Sequence, residues 1–111
     1  MRLPYAGQAV VHPNKVSDYL LSLAHPEGRA KARFFLSYGF SVGDSEKLLL
    51  ALLRHALSNE ASLSKENKFG RIYLIEGPLV TPDGRNPLLR SVWILETGSN
   101  TPRLITAYPT P

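Results

Sequence analysis

Apolar residues in the first half of the chain recur every three or four positions, which is the spacing of one face of an α-helix. This pattern predicts three helices, over residues 15–24, 27–38 and 44–58. Asn14 is placed to cap the first helix, and Gly39 is placed to end the second. Ser41 and Asp44 stand at capping-box spacing before the third helix, whose leucines are expected to form most of the helical core.

After residue 60 the pattern changes to runs that are typical of β-strands. Four strands are predicted: a short edge strand over residues 61–65 and longer strands over 71–80, 88–96 and 103–108. Residues 66–68 and 81–84 are predicted turns, and Gly77-Pro78 indicates a bulge or an edge position. The apolar run within 88–96 is expected to form a centre strand that is covered on both faces.

Helices followed by an antiparallel meander of about four strands define an α+β fold. We expect one domain over residues 1–111, with its helical part at about 14–58 and its β-sheet part at about 61–108. A length of 111 residues and a hydrophobic content of 43% fit such a domain better than a disordered chain. The net charge of +4 is evenly spread and favours a polyanionic partner only slightly.

The composition also excludes several kinds of chemistry. Without cysteine there is no disulfide, thiol nucleophile or zinc finger. The histidines at positions 12, 25 and 55 lack metal-ligand spacing, and the glycines form no phosphate-binding loop, so we expect neither metal nor cofactor. No apolar run approaches the ~20 residues of a membrane span, and no signal core is visible, so a cytoplasmic protein without membrane contact is expected.

His25 stands just before the second predicted helix, whose first two turns contain the cations Arg29, Lys31 and Arg33. Helix N-termini attract anions, and cations there oppose the helix dipole, so this segment points to an anionic ligand. The alternative is that Arg29 and Arg33 solvate an exposed helix face and that His25 is a loop residue bonded to backbone.

The last predicted strand offers a second set of polar side chains. Strand alternation places Thr106 and Tyr108 on one face and Arg103 on the other. For Arg90, in the preceding strand, there are three alternatives: it lies at a sheet edge, it extends its charged end to solvent, or it faces an anion. The alternative is that Thr106 and Tyr108 are ordinary strand residues whose hydroxyls reach solvent, and spacing does not decide between these interpretations.

Three stretches of the sequence, HPEGRAKARFFLSYGF, EGPLVTPDGRNPLLRSVWILETG and PRLITAYP, support a resemblance that covers about residues 16–109. Together they resemble a bacterial domain family that occurs as small standalone proteins and at the C-termini of larger toxin-like polypeptides. The helix-then-sheet order and the terminal TAYP are also similar to the barnase–EndoU–colicin D–RelE group of metal-independent ribonucleases, many of which are toxins.

In such ribonucleases the site collects a His or Lys from the helical part and Arg, Thr or Tyr from the strands. The resemblance therefore implies five catalytic residues in this chain: His25, Lys31, Arg90, Thr106 and Tyr108.

Many of these ribonucleases use a second His, or a Glu, for proton transfer. Here His12 and His55 lie outside the motifs and are poor candidates. Lys31 or Tyr108 would then have to supply the second proton-transfer group.

The leading hypothesis is metal-independent RNA cleavage, in which the 2′-hydroxyl attacks the adjacent phosphorus and leaves a 2′,3′-cyclic phosphate. His25 would act as general base or acid, because its unperturbed pKa suits both roles near neutrality. Lys31 and Arg90 would neutralise charge on the phosphoryl oxygens. Thr106 and Tyr108 would position the phosphate, and Tyr108 would also stack a base.

Arg29 and Arg33 would bind flanking phosphates and make RNA binding sensitive to salt. The alternative function is a non-catalytic binding module of the same fold that recognises RNA or a cognate protein such as an antitoxin, an immunity protein or a toxin. An enzyme acting on another anionic small molecule is a third possibility. Convergence of His25 with the last strand favours catalysis, whereas a remote His25 favours binding.

Overall fold

The computed structural model describes residues 1–110, in which a helical part precedes a β-sheet as the sequence predicts. A turn of α-helix, α1 (Pro13–Lys15), continues as a π-helical segment (Val16–Leu20), and two longer helices follow, α2 (Arg29–Ser37) and α3 (Ser45–Ser58). Short 3₁₀ turns cover Ala6–Gln8 and Val42–Asp44. None of the helices in the described part of the chain is long and apolar enough to cross a membrane.

The first helix is shorter than predicted, because it leaves helical geometry after Leu20 rather than after residue 24. Its last turn is widened: the backbone N–H of Leu21 donates to the carbonyl of Val16 at 2.9 Å, five residues back. Leu21 is buried, whereas Leu23, which is seven residues after Val16 and so on the predicted apolar face, is 50% exposed. The predicted cap is also wrong: His12 is the N-cap, and its Nδ1 accepts a hydrogen bond from the backbone N–H of Asn14.

The other two helices lie close to their predicted ranges. Gly39 adopts φ of +99° just after α2, which is the left-handed conformation that favours glycine at a helix end. The capping box before α3 does not form: within the described chain neither Ser41 nor Asp44 makes a side-chain cap hydrogen bond. The 3₁₀ turn between these two residues gives the backbone a different path into the helix.

The sheet is an antiparallel meander in which the strands lie in the order β1-β2-β3-β4. Its strands are β1 (Ala61–Asn67), β2 (Gly70–Pro78), β3 (Leu88–Glu96) and β4 (Arg103–Pro109). β1 runs two residues beyond its predicted end, so the turn before β2 falls at residues 68–69 rather than at 66–68. Gly77 and Pro78 pair with β3 beyond the end of the β1–β2 ladder, which confirms the predicted edge position.

β3 is a centre strand, but only one of its faces is fully covered. Leu89, Ser91, Trp93 and Leu95 alternate along the buried face. Most positions on the opposite face are more accessible: Leu88 is 62% exposed and Arg90 and Ile94 are half-buried, whereas Val92 is buried. α3 packs against the buried face through His55, and on the opposite face the expected cover is met only at Val92.

A buried histidine connects α3 to two strands of the sheet. His55 Nε2 lies 3.1 Å from the carbonyl oxygen of Gly77 on β2, and Nδ1 lies 2.8 Å from Ser91 Oγ on β3. Because a carbonyl only accepts, Nε2 carries the proton and Nδ1 accepts from the Ser91 hydroxyl. Ser91 Oγ in turn accepts the indole N–H of Trp93 at 2.8 Å. Burial lowers the pKa of His55, so the imidazole is held neutral.

Replacing His55 with Phe is expected to lower the free energy of unfolding by about 2–5 kcal/mol, because the Ser91 hydroxyl and the Gly77 carbonyl lose their partner. Since its folded-state pKa is depressed, the stabilisation from neutral His55 is present above its unfolded pKa of about 6.5 and is lost as pH falls toward the folded value. Urea unfolding of both proteins between pH 8 and 5 measures this. The wild type should lose stability on acidification more steeply than His55→Phe, and equal slopes would contradict the assignment.

Candidate functional site

A cleft of about 930 Å³ lies between the first helical segment, the turn after His25 and the start of β4. We call it the β4 cleft. Its polar lining comes from His12, Asn14, Lys15, Asp18, Tyr19, His25, Glu27, Arg103 and Thr106. Residues 12–27 and residues 103–106, which are distant in sequence, therefore contribute titratable or hydrogen-bonding groups to one concave surface.

Tyr19 is the centre of the polar contacts in this cleft. Its phenol oxygen accepts a hydrogen bond from Lys31 Nζ at 2.8 Å, and Lys15 Nζ lies 5.4 Å from the ring centroid. The ring of His25 meets the Tyr19 ring edge-on, with 4.9 Å between centroids. Burial raises the pKa of the Tyr19 phenol, but Lys31 and the nearby Thr106 hydroxyl lower it by more, so the net pKa lies below the ordinary value.

His25 is held by the backbone that follows it. Its Nδ1 accepts from the backbone N–H groups of Glu27 and Gly28, at 3.2 and 3.1 Å. With Nδ1 accepting, the neutral ring carries its proton on Nε2, which remains available to a ligand. In this arrangement His25 presents a hydrogen-bond donor, and a role as general base would require the other tautomer.

Gly28 fixes the distance between this turn and Tyr19. A Cβ on Gly28 would lie 2.4 Å from the backbone carbonyl oxygen of Tyr19, closer than any real contact. Only glycine therefore lets the turn approach the π-helical segment so closely. This close approach sets the edge-on packing of His25 against Tyr19.

His12 reaches the same cleft through a short parallel bridge to β4. The backbone N–H of Val10 donates to the Pro102 carbonyl at 2.8 Å, and the N–H of Leu104 donates to the Val10 carbonyl at 3.1 Å. His12 follows this bridge by two residues and lines the cleft, with its Nδ1 3.4 Å from the Asn14 N–H. His12 lies outside the motifs and is a poor candidate from the sequence alone, but in the structure it lines the same cleft as His25.

A bulge in β4 changes the predicted faces of the last strand. Thr106 pairs with Val92 and Arg103 pairs with Ile94, which leaves Ile105 unpaired. Val92 and Ile94 are two residues apart on β3, so Thr106 and Arg103 hold register positions on the same face. The prediction that Arg103 lies opposite Thr106 is therefore wrong. Thr106 Oγ1 is buried and has no hydrogen-bond partner within residues 1–110.

Tyr108 and Arg90 lie outside the cleft lining and form a cross-strand group of their own. The register pairs Arg90 with Glu76 on one side and with Tyr108 on the other. The Arg90 guanidinium is 2.7 Å from the Glu76 carboxylate and 5.7 Å from the centroid of the Tyr108 ring. Of the five predicted catalytic residues, the structure thus gathers His25, Lys31 and Thr106 around Tyr19 and places these two elsewhere.

The two arginines of α2 differ in what they contact. Arg29 is exposed, and its Nε donates to the carbonyl oxygen of Leu23 at 3.1 Å, which ties α2 to the end of the first helical segment. Arg33 is exposed one turn further along. Within residues 1–110 no group of three or more His, Asp or Glu side chains is arranged to hold a metal ion.

Tyr19 was missed because its position fits the apolar stripe of the first helix. The hydrogen bond that distinguishes it comes from Lys31, twelve residues away on the next helix. The available signal in the sequence is weak: a tyrosine among aliphatic residues suggests a hydrogen-bond partner, because the hydroxyl of a buried tyrosine usually has one. His12 gives no comparable indication, since its place depends on the Val10 bridge.

Comparison with known proteins identifies the family. The chain belongs to the family described as "Domain of unknown function (DUF6883)", whose model matches residues 2–111. No curated protein matches the chain. Among solved structures, it is similar to a chain of a contact-dependent growth inhibition toxin–immunity protein complex from Klebsiella pneumoniae 342, with 15% identity and a TM-score of 0.68. The similarity covers 98% of this chain and 99% of that chain, and at this identity it shows a shared fold.

The Nδ1 contacts of His25 predict different effects for two substitutions. His25→Ala removes the acceptor from two backbone N–H groups and should lower the free energy of unfolding by about 1 kcal/mol, as loss of a helix cap does. His25→Asn keeps an oxygen near the Nδ1 position and should remain close to wild type. Urea unfolding at pH 7.5 measures both, and equal loss in the two variants would contradict a stabilising role for the Nδ1 contacts.

Proposed function

We propose that this protein is a metal-independent endoribonuclease of a toxin system. The observation that supports this most is the convergence of His12, His25, Thr106 and the Tyr19–Lys31 pair on one cleft. Two imidazoles, an ammonium group and hydroxyls are sufficient for phosphodiester transesterification without a metal. The shared fold with a chain from a toxin–immunity complex adds support for the toxin system.

The reaction needs no water in its first step. The 2′-hydroxyl loses its proton, its oxygen bonds to the adjacent phosphorus, and the bond from phosphorus to the 5′-oxygen breaks. The products are a 2′,3′-cyclic phosphate and a 5′-hydroxyl, with no change in oxidation state. The chain must therefore supply a proton acceptor, charge stabilisation for the phosphoryl oxygens and a proton donor for the leaving oxygen.

We assign the proton-acceptor role to His12. Its Nδ1 contact with the Asn14 N–H is 3.4 Å, longer than the two contacts that fix the tautomer of His25. Either histidine presents an unprotonated Nε2 only in its Nδ1–H tautomer, because a neutral ring whose Nδ1 accepts carries its proton on Nε2. That tautomer gives up one contact of 3.4 Å in His12 but two shorter contacts in His25, so His12 is the better proton acceptor of the two. His25 donates its Nε2–H to a phosphoryl oxygen, and Lys31 lowers the energy of the charge that develops there.

The cleft attracts a phosphodiester through an excess of cations over carboxylates. Lys15 and Arg103 line the cleft together with Asp18 and Glu27, and Lys31 adds a third cation beside the lining through its hydrogen bond to Tyr19. Arg103 is shared with the Glu96 carboxylate, so part of its charge is already compensated. Arg29 and Arg33 extend the positive surface along α2, where flanking phosphates of a longer RNA would lie.

Binding to a partner without catalysis is the second candidate function. It is favoured by the less covered face of the sheet, where Ile72, Leu74 and Ile94 are partly exposed beside Arg90 and Tyr108. A partly apolar face with an Arg and a Tyr has the composition of a protein-binding surface. Its partner would be a cognate toxin, antitoxin or immunity protein.

Cleavage assays on total RNA in the presence of EDTA test the proposed function. The wild type should cleave, and the products should carry 2′,3′-cyclic phosphate ends. His12→Asn and His25→Asn should each lower the rate by about 10²–10⁴-fold, as expected for the loss of a proton-transferring or donating imidazole. Lys65→Met, on the far edge strand β1, is the control and should cleave like the wild type.

The second candidate predicts the opposite result in this assay. A folded wild type that binds a co-expressed partner but leaves RNA intact would exclude the ribonuclease and support the binding module. Growth arrest on expression, relieved by that partner, should accompany cleavage if the protein is a toxin. Harmless expression in several hosts would contradict the toxin role.

RNA binding should depend on salt in a way that identifies the surface. Replacing Arg33 with Gln should weaken binding and reduce the slope of log affinity against log salt concentration by about one, since one phosphate contact is removed. Fluorescence anisotropy with a labelled single-stranded RNA at several salt concentrations measures the slope. Arg54→Gln, on α3, should leave the slope unchanged, and equal effects would show that α2 has no special role.

A further inference from the structure

The proposed reaction lacks a proton donor for the leaving 5′-oxygen once His12 and His25 have their roles. An imidazole can act as that donor only in its doubly protonated form. For His25 a proton on Nδ1 would face the N–H groups of Glu27 and Gly28, which are donors themselves. The structure therefore disfavours His25 as the acid.

Tyr19 has the geometry that this step requires. Its oxygen already accepts from the ammonium group of Lys31 at 2.8 Å, so its own proton is free to be donated to another oxygen. The ring lines the β4 cleft and is braced edge-on by His25, with Gly28 packed against its backbone carbonyl. The phenol is thus positioned by two segments of the chain rather than by its own rotamer alone.

We propose that Tyr19 is the general acid of the β4 cleft and that Lys31 is its positioning and charge-stabilising partner. The inference rests on the proposed ribonuclease function. As the bond between phosphorus and the 5′-oxygen breaks, the phenol proton passes to that oxygen, which leaves as a hydroxyl. The electron pair of the O–H bond stays on Tyr19 as a phenolate, which the Lys31 ammonium stabilises until water returns the proton.

The groups that surround the phenol favour this proton loss. Lys31 on α2 and Lys15 on α1 approach the ring from two helices, each about 5 Å from its centroid. Thr106 on β4 brings a hydroxyl near the phenol, and Glu27 is the nearby carboxylate that opposes ionisation. His25 lies edge-on to the ring, and His12, Asp18 and Arg103 line the same cleft. Burial and Glu27 raise the pKa of the phenol, but Lys31 and the Thr106 hydroxyl together lower it by more, so the phenol is a stronger acid than an isolated tyrosine.

A pair of substrates separates a general acid from a residue that only binds or positions RNA. One is a dinucleoside monophosphate, whose 5′-alkoxide must be protonated to leave. The other is a nucleoside 3′-(4-nitrophenyl phosphate), whose nitrophenolate leaves without a proton. Tyr19→Phe should lower cleavage of the first by about 10²-fold or more and leave cleavage of the second close to wild type. Tyr5→Phe, an exposed tyrosine near the N-terminus, is the matched control and should be unchanged on both.

The pH profile tests the partnership with Lys31. An acid must be protonated to act, so cleavage should fall as pH rises through the pKa of Tyr19. Lys31→Met removes the charge that lowers this pKa, so the alkaline limb of the profile should move to higher pH. The Tyr19 phenolate can also be titrated without substrate, as the absorbance difference between a protein with Tyr19 and its Tyr19→Phe counterpart. In the Lys31→Met background the midpoint of this titration should also lie at higher pH.

The outcomes separate the two proposals. A wild type that cleaves, together with a Tyr19→Phe variant that is equally impaired on both substrates or on neither, overturns the role of Tyr19 and leaves the ribonuclease intact. A wild type that cleaves neither substrate overturns the ribonuclease and, with it, the role of Tyr19. Circular dichroism of Tyr19→Phe, which loses only a hydroxyl, confirms that the variant is folded.

Discussion

The buried imidazole of His55 determines how the helical layer sits on the sheet. Each of its ring nitrogens meets one partner, the Gly77 carbonyl on β2 and the Ser91 hydroxyl on β3. A buried polar group without a partner costs about 1–3 kcal/mol, so α3 cannot slide or rotate over the sheet without losing these bonds. Trp93 adds its indole N–H to the same hydroxyl and fills the core below it. This network therefore specifies one arrangement of helix and strands where apolar packing alone would tolerate several.

The β4 cleft depends on that arrangement at its other edge. With β3 fixed under α3, β4 completes the meander and is displaced by its bulge at Ile105. The N-terminal segment then adds to the outer side of β4 through Val10, which brings His12 and the first helical segment beside Thr106. The α2 helix approaches from the other direction because Gly28 admits the Tyr19 carbonyl. The Val10 contacts join residues more than 90 positions apart, and the Gly28 contact joins two helical elements, so the cleft is a product of tertiary structure.

That dependence explains what the sequence could and could not predict. The α+β order, the range of β3 and the turn at Gly84 follow from local patterns, because periodicity and turn chemistry act over a few residues. The early end of the first helix and the face of Arg103 follow from a π turn and a bulge, which leave no distinctive residue pattern. His25, Lys31 and Thr106 were identifiable as polar groups next to cations or at a strand end. Tyr19 and His12 were not, since the partner of Tyr19 is Lys31 on the next helix and the place of His12 depends on the bridge from Val10 to β4.

The three histidines show how the same side chain takes different roles through the contacts of its two ring nitrogens. In His55 both nitrogens have protein partners, and burial holds the ring neutral, so no nitrogen remains for a ligand. In His25 and His12 the Nδ1 atom is occupied by backbone N–H groups, and each ring still has Nε2 for the cleft. His25 and His12 differ in how firmly the Nδ1 contact fixes the tautomer of the ring. Two hydrogen bonds fix that of His25, whereas one long contact holds His12. A free nitrogen on a ring of restrained orientation is what acid–base chemistry requires, and that criterion selects the β4 cleft over the buried core.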